Sequence, residues 1–334
     1  MTDRPPLLAR LGLSMGLFLL APLVGEFLLG NQPITELPKL PLYATMYGGG
    51  ALLIREVARR LGRGWPTMIP LAAAYAILEE GPIDQMLWNP NYGGFDMGAA
   101  YAGTQVPVLG TSVALLQDVL SMHTVWSICV PIALVETFAR RRDRPWLGGI
   151  GIGVTAVIFV LGSVMMGGFN YLAFHYMASA WQFGVAVVMI AALVAAALAL
   201  PRPQPSNVDA STGVNPWLVG AVAFVASSVY WARDWLVPEN AWAWLPVLGW
   251  CVLVAAVVAL GMWTTRERYW GRGQTLGAAG GALLTYAWVG FTHSSQMGMS
   301  KGLALAGSTV FALAAVVLLA FAIRGVARLS PTDT

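Results

Sequence analysis

The hydrophobic positions of this chain run in ten long blocks: Leu11–Leu29, Leu40–Val57, Trp65–Leu87, Val108–Phe138, Trp146–Met166, Met177–Leu200, Pro216–Trp235, Ala241–Trp263, Leu276–Thr292 and Leu303–Ile323. Each approaches or exceeds the roughly 20 apolar residues that a helix needs to cross a bilayer. The pattern predicts an all-α polytopic integral membrane helix bundle of about ten transmembrane helices. Ten crossings would leave both termini on one side. Of the 19 basic residues, 16 then fall on that side: Arg4 and Arg10, Arg55 to Arg63, Arg140 to Arg144, Arg202, Arg266 to Arg272, and Arg324 and Arg328. Only Lys39, Arg233 and Lys301 fall elsewhere. Basic residues collect on the cytoplasmic side of membrane proteins, so both termini are expected in the cytoplasm and the chain in the plasma membrane as a multi-pass protein. The first block has no small-residue cleavage site and reads as a retained span, not a signal peptide.

The Pro-, Ser- and Asn-rich stretch 201–215 reads as a cytoplasmic linker. It divides the chain into residues 1–200, which carry nearly all the intramembrane ionisable groups, and residues 216–334, which read as mainly structural. Trp217, Trp231, Trp235, Trp242, Trp244, Trp250 and Trp263 lie near the ends of blocks in the second part, where Trp marks the membrane interface.

Composition agrees with the blocks. The chain has 334 residues, 57% hydrophobic and 10% charged, against about 25% charged in soluble domains. The sequence pI near 9.0 comes from arginines at block ends, so nucleic acid is not an expected partner. Cys129 and Cys251 both sit inside apolar blocks and suggest neither a disulfide framework nor a zinc site. The expected partners are membrane lipids and an apolar substrate; oligomeric state is not legible.

The candidate chemistry centres on Leu78-Glu79-Glu80-Gly81-Pro82-Ile83-Asp84-Gln85. A charge in hydrocarbon costs at least about 2.5–3.5 kcal/mol, and here three carboxylates follow one apolar run. Gly81-Pro82 is expected to break the helix, and irregular backbone at membrane depth is tolerated where it lines a cavity. With this topology Glu26, Glu79, Glu80, Asp84, Asp118 and His123 share one depth near the outer leaflet. His123, Trp126 and Ser127 stand at i, i+3 and i+4, on one helical face, with Gln117 and Ser121 as a neighbouring polar stripe. Glu79 and Glu80 would point about 100 degrees apart on an α-helix, so only one of them is expected to face a given ligand. Two carboxyls held close in low dielectric cannot both ionise easily, which makes an acid–base pair. Trp88, Asn89 and Tyr92 open an aromatic, polar loop beside them and, with Gln85, are candidate substrate contacts along with Glu26, Asp118 and Trp126. Aromatic faces attract cations; the ordinary alternative is an interfacial aromatic belt. Structural readings compete elsewhere: a helix–helix hydrogen bond for Glu26, a local pair or snorkelling for Arg55-Glu56, an interfacial place for Glu136, and loop or interface places for His175 and His293.

Glu79-Glu80-Gly81-Pro82-Ile83-Asp84 resembles the EExxxR motif of the CPBP intramembrane glutamic peptidases, relatives of the CAAX-prenyl proteases, in which Glu and His activate water. His123 matches the family's first histidine position, with Val119 where the family has Phe. Asp84 replaces the Arg, and no HxxxN/D follows on a later span. In type, the chain is also similar to the membrane-bound terpene cyclases of actinomycetes, which are polytopic, Trp-rich and without a DDxxD metal motif. That resemblance implies an enzyme acting on an isoprenoid or isoprenoid-tailed lipid, a proton-initiated cyclase without metal or other cofactor. Glu80 or Asp84 would be the acid, Glu79 its tuner and His123 its orienter. An intramembrane hydrolase, and a transporter or non-catalytic membrane partner, are the alternatives; ion-coupled carriers also place carboxylates at broken helices.

Overall fold

The structure is a computed structural model describing residues 6–202, 213–238, 241–267 and 269–328, except the side chains of residues 234 and 267. Most of the expected linker 201–215, together with Arg4 and Arg268, lies outside the described residues. The fold is nearly all α, 79% helical. Among the described residues, six helices are long and apolar enough to cross a membrane: Leu7–Leu28 (α1), Val113–Thr137 (α4), Gly149–Phe174 (α5), Ala180–Ala199 (α6), Trp244–Arg266 within Trp244–Glu267 (α8) and Lys301–Ala327 (α10). The other four apolar blocks also fold as helices: Leu40–Arg60 (α2), Trp65–Leu78 with its continuation Glu79–Ile83 (α3), Pro216–Leu236 (α7) and Arg272–Gln296 (α9). Of these four, α2, α3 and α9 bury much of their length against neighbours.

Three of the helices change pitch partway. Residues Leu23–Leu28 of α1, Glu79–Ile83 of α3 and Met122–Cys129 of α4 are π-helical. A proline accompanies each: Pro22 before the first, Pro82 inside the second, Pro131 just after the third. Proline lacks an N–H and its ring presses on the carbonyl one turn back, and widening the turn is one way to relieve both. The expected break at Gly81-Pro82 is therefore corrected. The helix widens there and ends only at Asp84–Gln85, where Gln85 adopts φ 61° and its Oε1 accepts the Ala178 N–H at 2.7 Å. The segment that follows, up to α4, folds as short helical turns and a small antiparallel hairpin, β1 (Gln105–Val106) on β2 (Thr111–Ser112), so α4 starts at Val113, later than its apolar block does.

Helix α2 stands in the middle of the first part. A Cβ on Gly48 would strike the Phe18 carbonyl of α1, one on Gly49 would crowd Phe159 of α5, and one on Gly50 would strike the Tyr75 ring of α3. Three consecutive small residues thus admit three different neighbours, the way membrane helices approach closely. In the second part, Gly277 and Gly281 of α9 meet the backbone of α7 at Pro216 and Gly220. A shared aromatic core joins the two parts: Trp126 of α4 stacks on Tyr286 of α9 at 4.4 Å and 3°, with Tyr230 and Trp231 of α7 around it.

Candidate functional site

All three π-helical stretches carry an ionisable residue, and they lie against one another. Leu23–Leu28 presents Glu26, Glu79–Ile83 presents Glu79 and Glu80, and Met122–Cys129 presents His123. π-Bulges recur at functional sites because the wide turn re-aims side chains. Gly25 permits the approach, since a Cβ there would meet Ser127 Oγ and the Tyr47 ring.

The centre is His123, 6% exposed. Its Nδ1 lies 2.8 Å from Glu79 Oε2 and its Nε2 2.9 Å from Glu80 Oε1. Ser127 Oγ is 3.3 Å from Nδ1. Both acids therefore face the same imidazole, against the expectation that only one could. The wider π turn and the two-sided ring explain it: each carboxyl takes a different nitrogen. A neutral imidazole has one donor and one acceptor. The triad with two protons can be written as imidazolium between two carboxylates, or as imidazole between one carboxylate and one carboxylic acid. These forms differ only by a proton shift along the N–O line. The arrangement is a proton bridge between two acids.

Around it, Tyr47 donates its hydroxyl to Glu26 Oε1 at 2.5 Å, with the Tyr47 and His123 rings 6.1 Å apart. Gln32 reaches Glu26 Oε2 at 3.4 Å. The Tyr75 hydroxyl neighbours Glu79 without the geometry of a hydrogen bond. Glu80 Oε2 and both oxygens of Glu79 are buried and likewise lack a well-aligned hydrogen bond among the described residues. A buried polar atom left this way marks a strained, catalytic or ligand-holding group. Glu79, Glu80 and His123 can each offer one ligand atom, all within 4.8 Å of one another. Three protein ligands with an open fourth position is the ligand count of a catalytic divalent ion.

Asp84 lies just beyond, at the C-terminal end of the π-helical stretch of α3. It accepts from Asn170 Nδ2 of α5 at 3.0 Å and from the Tyr92 hydroxyl at 3.4 Å. Burial, with Asp84 beside it, pushes the Tyr92 phenol well above its ordinary range, so it remains a donor at neutral pH. Trp88 covers Gly81, its ring 3.1 Å from where a Cβ would stand. Gln85 and Asn89 hold the turn instead, Asn89 Oδ1 accepting the Asn91 N–H. Asn170 and Tyr47 went unnoticed in the sequence because an amide and a phenol in apolar runs carry no mark of their partners.

Asp118 and Trp126 lie apart from this cluster. Asp118 pairs with Arg233 at 2.5 Å and accepts from Tyr230 at 2.9 Å and Tyr101 at 3.0 Å. Trp126 donates to the Ala282 carbonyl at 2.7 Å. The π turn after Ser121 swings it away from the face it was expected to share with His123. The stripe of Gln117 and Ser121 serves α8, bonding Val247 O and Trp250 Nε1. His293 meets Asn31 Oδ1 at 2.7 Å, and His175 closes α5 with φ 49°.

A second buried charge cluster sits at the arginine-rich end. Arg55 reaches Glu56 Oε1 at 2.6 Å, Glu136 Oε1 at 3.0 Å and the carbonyls of Arg142 and Arg144 at 3.0 Å. Its guanidinium lies 3.3 Å over the Trp146 ring. Glu56 accepts the N–H groups of Trp146 and Leu147, and Arg59 takes Glu136 Oε2 at 2.7 Å. Glu136, expected at the interface, is 3% exposed because two arginines hold it inside. With Arg55, Arg59, Glu56 and Glu136 all paired, this cluster reads as structural. Comparison with known protein families, with curated proteins and with solved structures gives no match.

Proposed function

We propose that the chain is a membrane-embedded acid–base enzyme acting on an isoprenoid or isoprenoid-tailed lipid, with Glu80 as the proton donor. The observation that supports this reading is His123 held between Glu79 and Glu80, with Glu80 Oε2 buried and without a hydrogen bond among the described residues. In the acid form a third proton sits on Glu80 Oε2 while imidazolium bridges the pair, and Glu80 gives that proton to an alkene, or to an epoxide oxygen whose C–O bond then breaks. The alkene π pair becomes the new C–H bond and leaves a carbocation. This leaves imidazolium between two carboxylates, and the Glu80 carboxylate then takes a proton from the cyclised cation, which restores the acid form. Tyr47, Tyr75 and Trp88 supply aromatic faces suited to a cation. Ten membrane crossings, both termini in the cytoplasm and a plasma-membrane location complete the proposal; the crowding of arginines at one end supports that orientation.

Lipid-extract mass spectrometry of an isoprenoid-producing host tests it. The wild type is expected to yield a cyclised product. Glu80→Gln and His123→Gln are expected to lower it by about 10²–10⁴-fold, the usual worth of general acid–base catalysis. Full product from Glu79→Gln, Glu80→Gln and His123→Gln alike sinks the reading. The converging ligand atoms of Glu79, Glu80 and His123 favour one second reading, hydrolysis by water activated at this centre, with or without a divalent ion. Stoichiometric metal in the purified protein, with peptide cleavage and no cyclised product, would select it.

A further inference from the structure

A cavity of about 290 Å³ opens at the arginine-rich end, between the start of α1 and the turn that follows α4. Its apolar wall is Pro6, Ala9, Gly12, Leu13, Phe138 and Trp146; Arg140 and Arg141 stand at its polar side. We propose that it binds one anionic phospholipid, with the phosphate against Arg140 and Arg141 and an acyl chain along Ala9, Gly12 and Leu13. The inference is independent of the acid–base reading.

The placement suits a lipid. Leu8 and Leu11 on α1 are 83% and 51% exposed, and Phe138 45%, so an outward apolar collar meets the arginines at the cavity. Charge suits an anion. Beside the cavity, among the described residues, the four arginines Arg55, Arg59, Arg142 and Arg272 gather around the two carboxylates Glu56 and Glu136. Burial first, and then Arg272 close by, pushes Arg142 below the usual arginine range. Asp143 lies 3.7 Å from Arg141 and offsets part of it, while Arg140 is exposed. The wall is fixed: Arg10 Nε donates to the Trp146 carbonyl at 2.7 Å. The Trp146 indole N–H is buried without an acceptor among the described residues. Basic pockets between membrane helices on the cytoplasmic side are sites for anionic head groups. A space bounded by both a hydrocarbon wall and two guanidinium groups suits a phospholipid better than a free anion, which has no use for the wall.

The test uses the full-length protein in phosphatidylcholine nanodiscs doped with phosphatidylglycerol, with bound lipid counted by native mass spectrometry. Wild type is expected to retain phosphatidylglycerol over phosphatidylcholine, and inorganic phosphate is expected not to displace it. R140Q/R141Q should weaken retention roughly 30-fold, each guanidinium near an anionic lipid contributing a several-fold factor. Gly12→Leu is the second variant. A Cβ at Gly12 meets nothing within 4 Å, so leucine fills the groove without straining the fold and should abolish retention with both arginines in place. If R140Q/R141Q does not fold, Gly12→Leu decides alone. Equal retention by wild type and Gly12→Leu overturns the proposal, as does displacement by inorganic phosphate, which would mean a free-anion site.

Discussion

At the scale of single residues, two kinds of buried charge coexist here, distinguished by how completely they are paired. Arg55 has a partner for each of its hydrogen-bonding nitrogens and a ring beneath it. Removing one member of such a cluster strands the others. Arg55→Ala is expected to destabilise the protein by about 3–5 kcal/mol, read as the thermal midpoint in detergent. Arg55→Lys should not rescue it, because a point charge replaces neither the fork nor the stacking plane. Glu26 is a milder case: its strong partner is the Tyr47 hydroxyl. Tyr47→Phe should cost about 1–3 kcal/mol, the desolvation penalty of the stranded carboxyl. Adding Glu26→Gln should recover part of that loss; additive losses would show that the two groups are not coupled. His123, Glu79 and Glu80 differ because their free oxygens leave chemistry available, and they were visible in the sequence as charges in apolar runs. The groups around them were not: Tyr47 on Glu26, Tyr75 beside Glu79 and Asn170 on Asp84 are residue types common in membrane helices that gain meaning only from what they face.

At the scale of elements, the π-helical stretches matter most. The sequence reading treated Glu79 and Glu80 as lying on an α-helix and set Trp126 beside His123. Both inferences used a 3.6-residue turn, and both fail where the turn is wider. A readable signal was present: Pro22 stands four residues before Glu26, Pro82 two after Glu80, and Pro131 eight after His123. Proline near an ionisable residue in an apolar run is a mark of a re-pitched helix. Pro82→Ala is expected to let α3 relax toward α pitch and turn Glu79 and Glu80 apart. Helix content by circular dichroism should hold while cyclised product falls; unchanged product would show that the re-pitching is incidental. The glycines of α2 and α9 set helix separation. Gly281→Ala places a methyl against the Gly220 carbonyl of α7, and about 1–3 kcal/mol of destabilisation is expected from that overpacking.

At the scale of the whole molecule, the two parts of the chain are joined by specific bonds. Asp118 of α4 meets Arg233 and Tyr230 of α7, and Tyr101 of the segment between α3 and α4 closes on the same carboxylate. Asp118→Asn and Arg233→Gln should therefore be non-additive in thermal stability, with a coupling of about 0.5–3 kcal/mol; strict additivity would mean that the pair does not hold the parts together. The sequence by itself determined that the chain is a helical membrane protein, where its apolar blocks lie and that Glu79, Glu80 and His123 are unusual, because hydrocarbon penalises charge residue by residue. Only the tertiary structure decided which charges meet. His123 joins both glutamates, Asp118 turns to Arg233 and Glu136 is buried between arginines. Those choices depend on helix pitch, on glycine-sized gaps and on which faces of separate helices come together, and a linear pattern with one assumed period carries none of these.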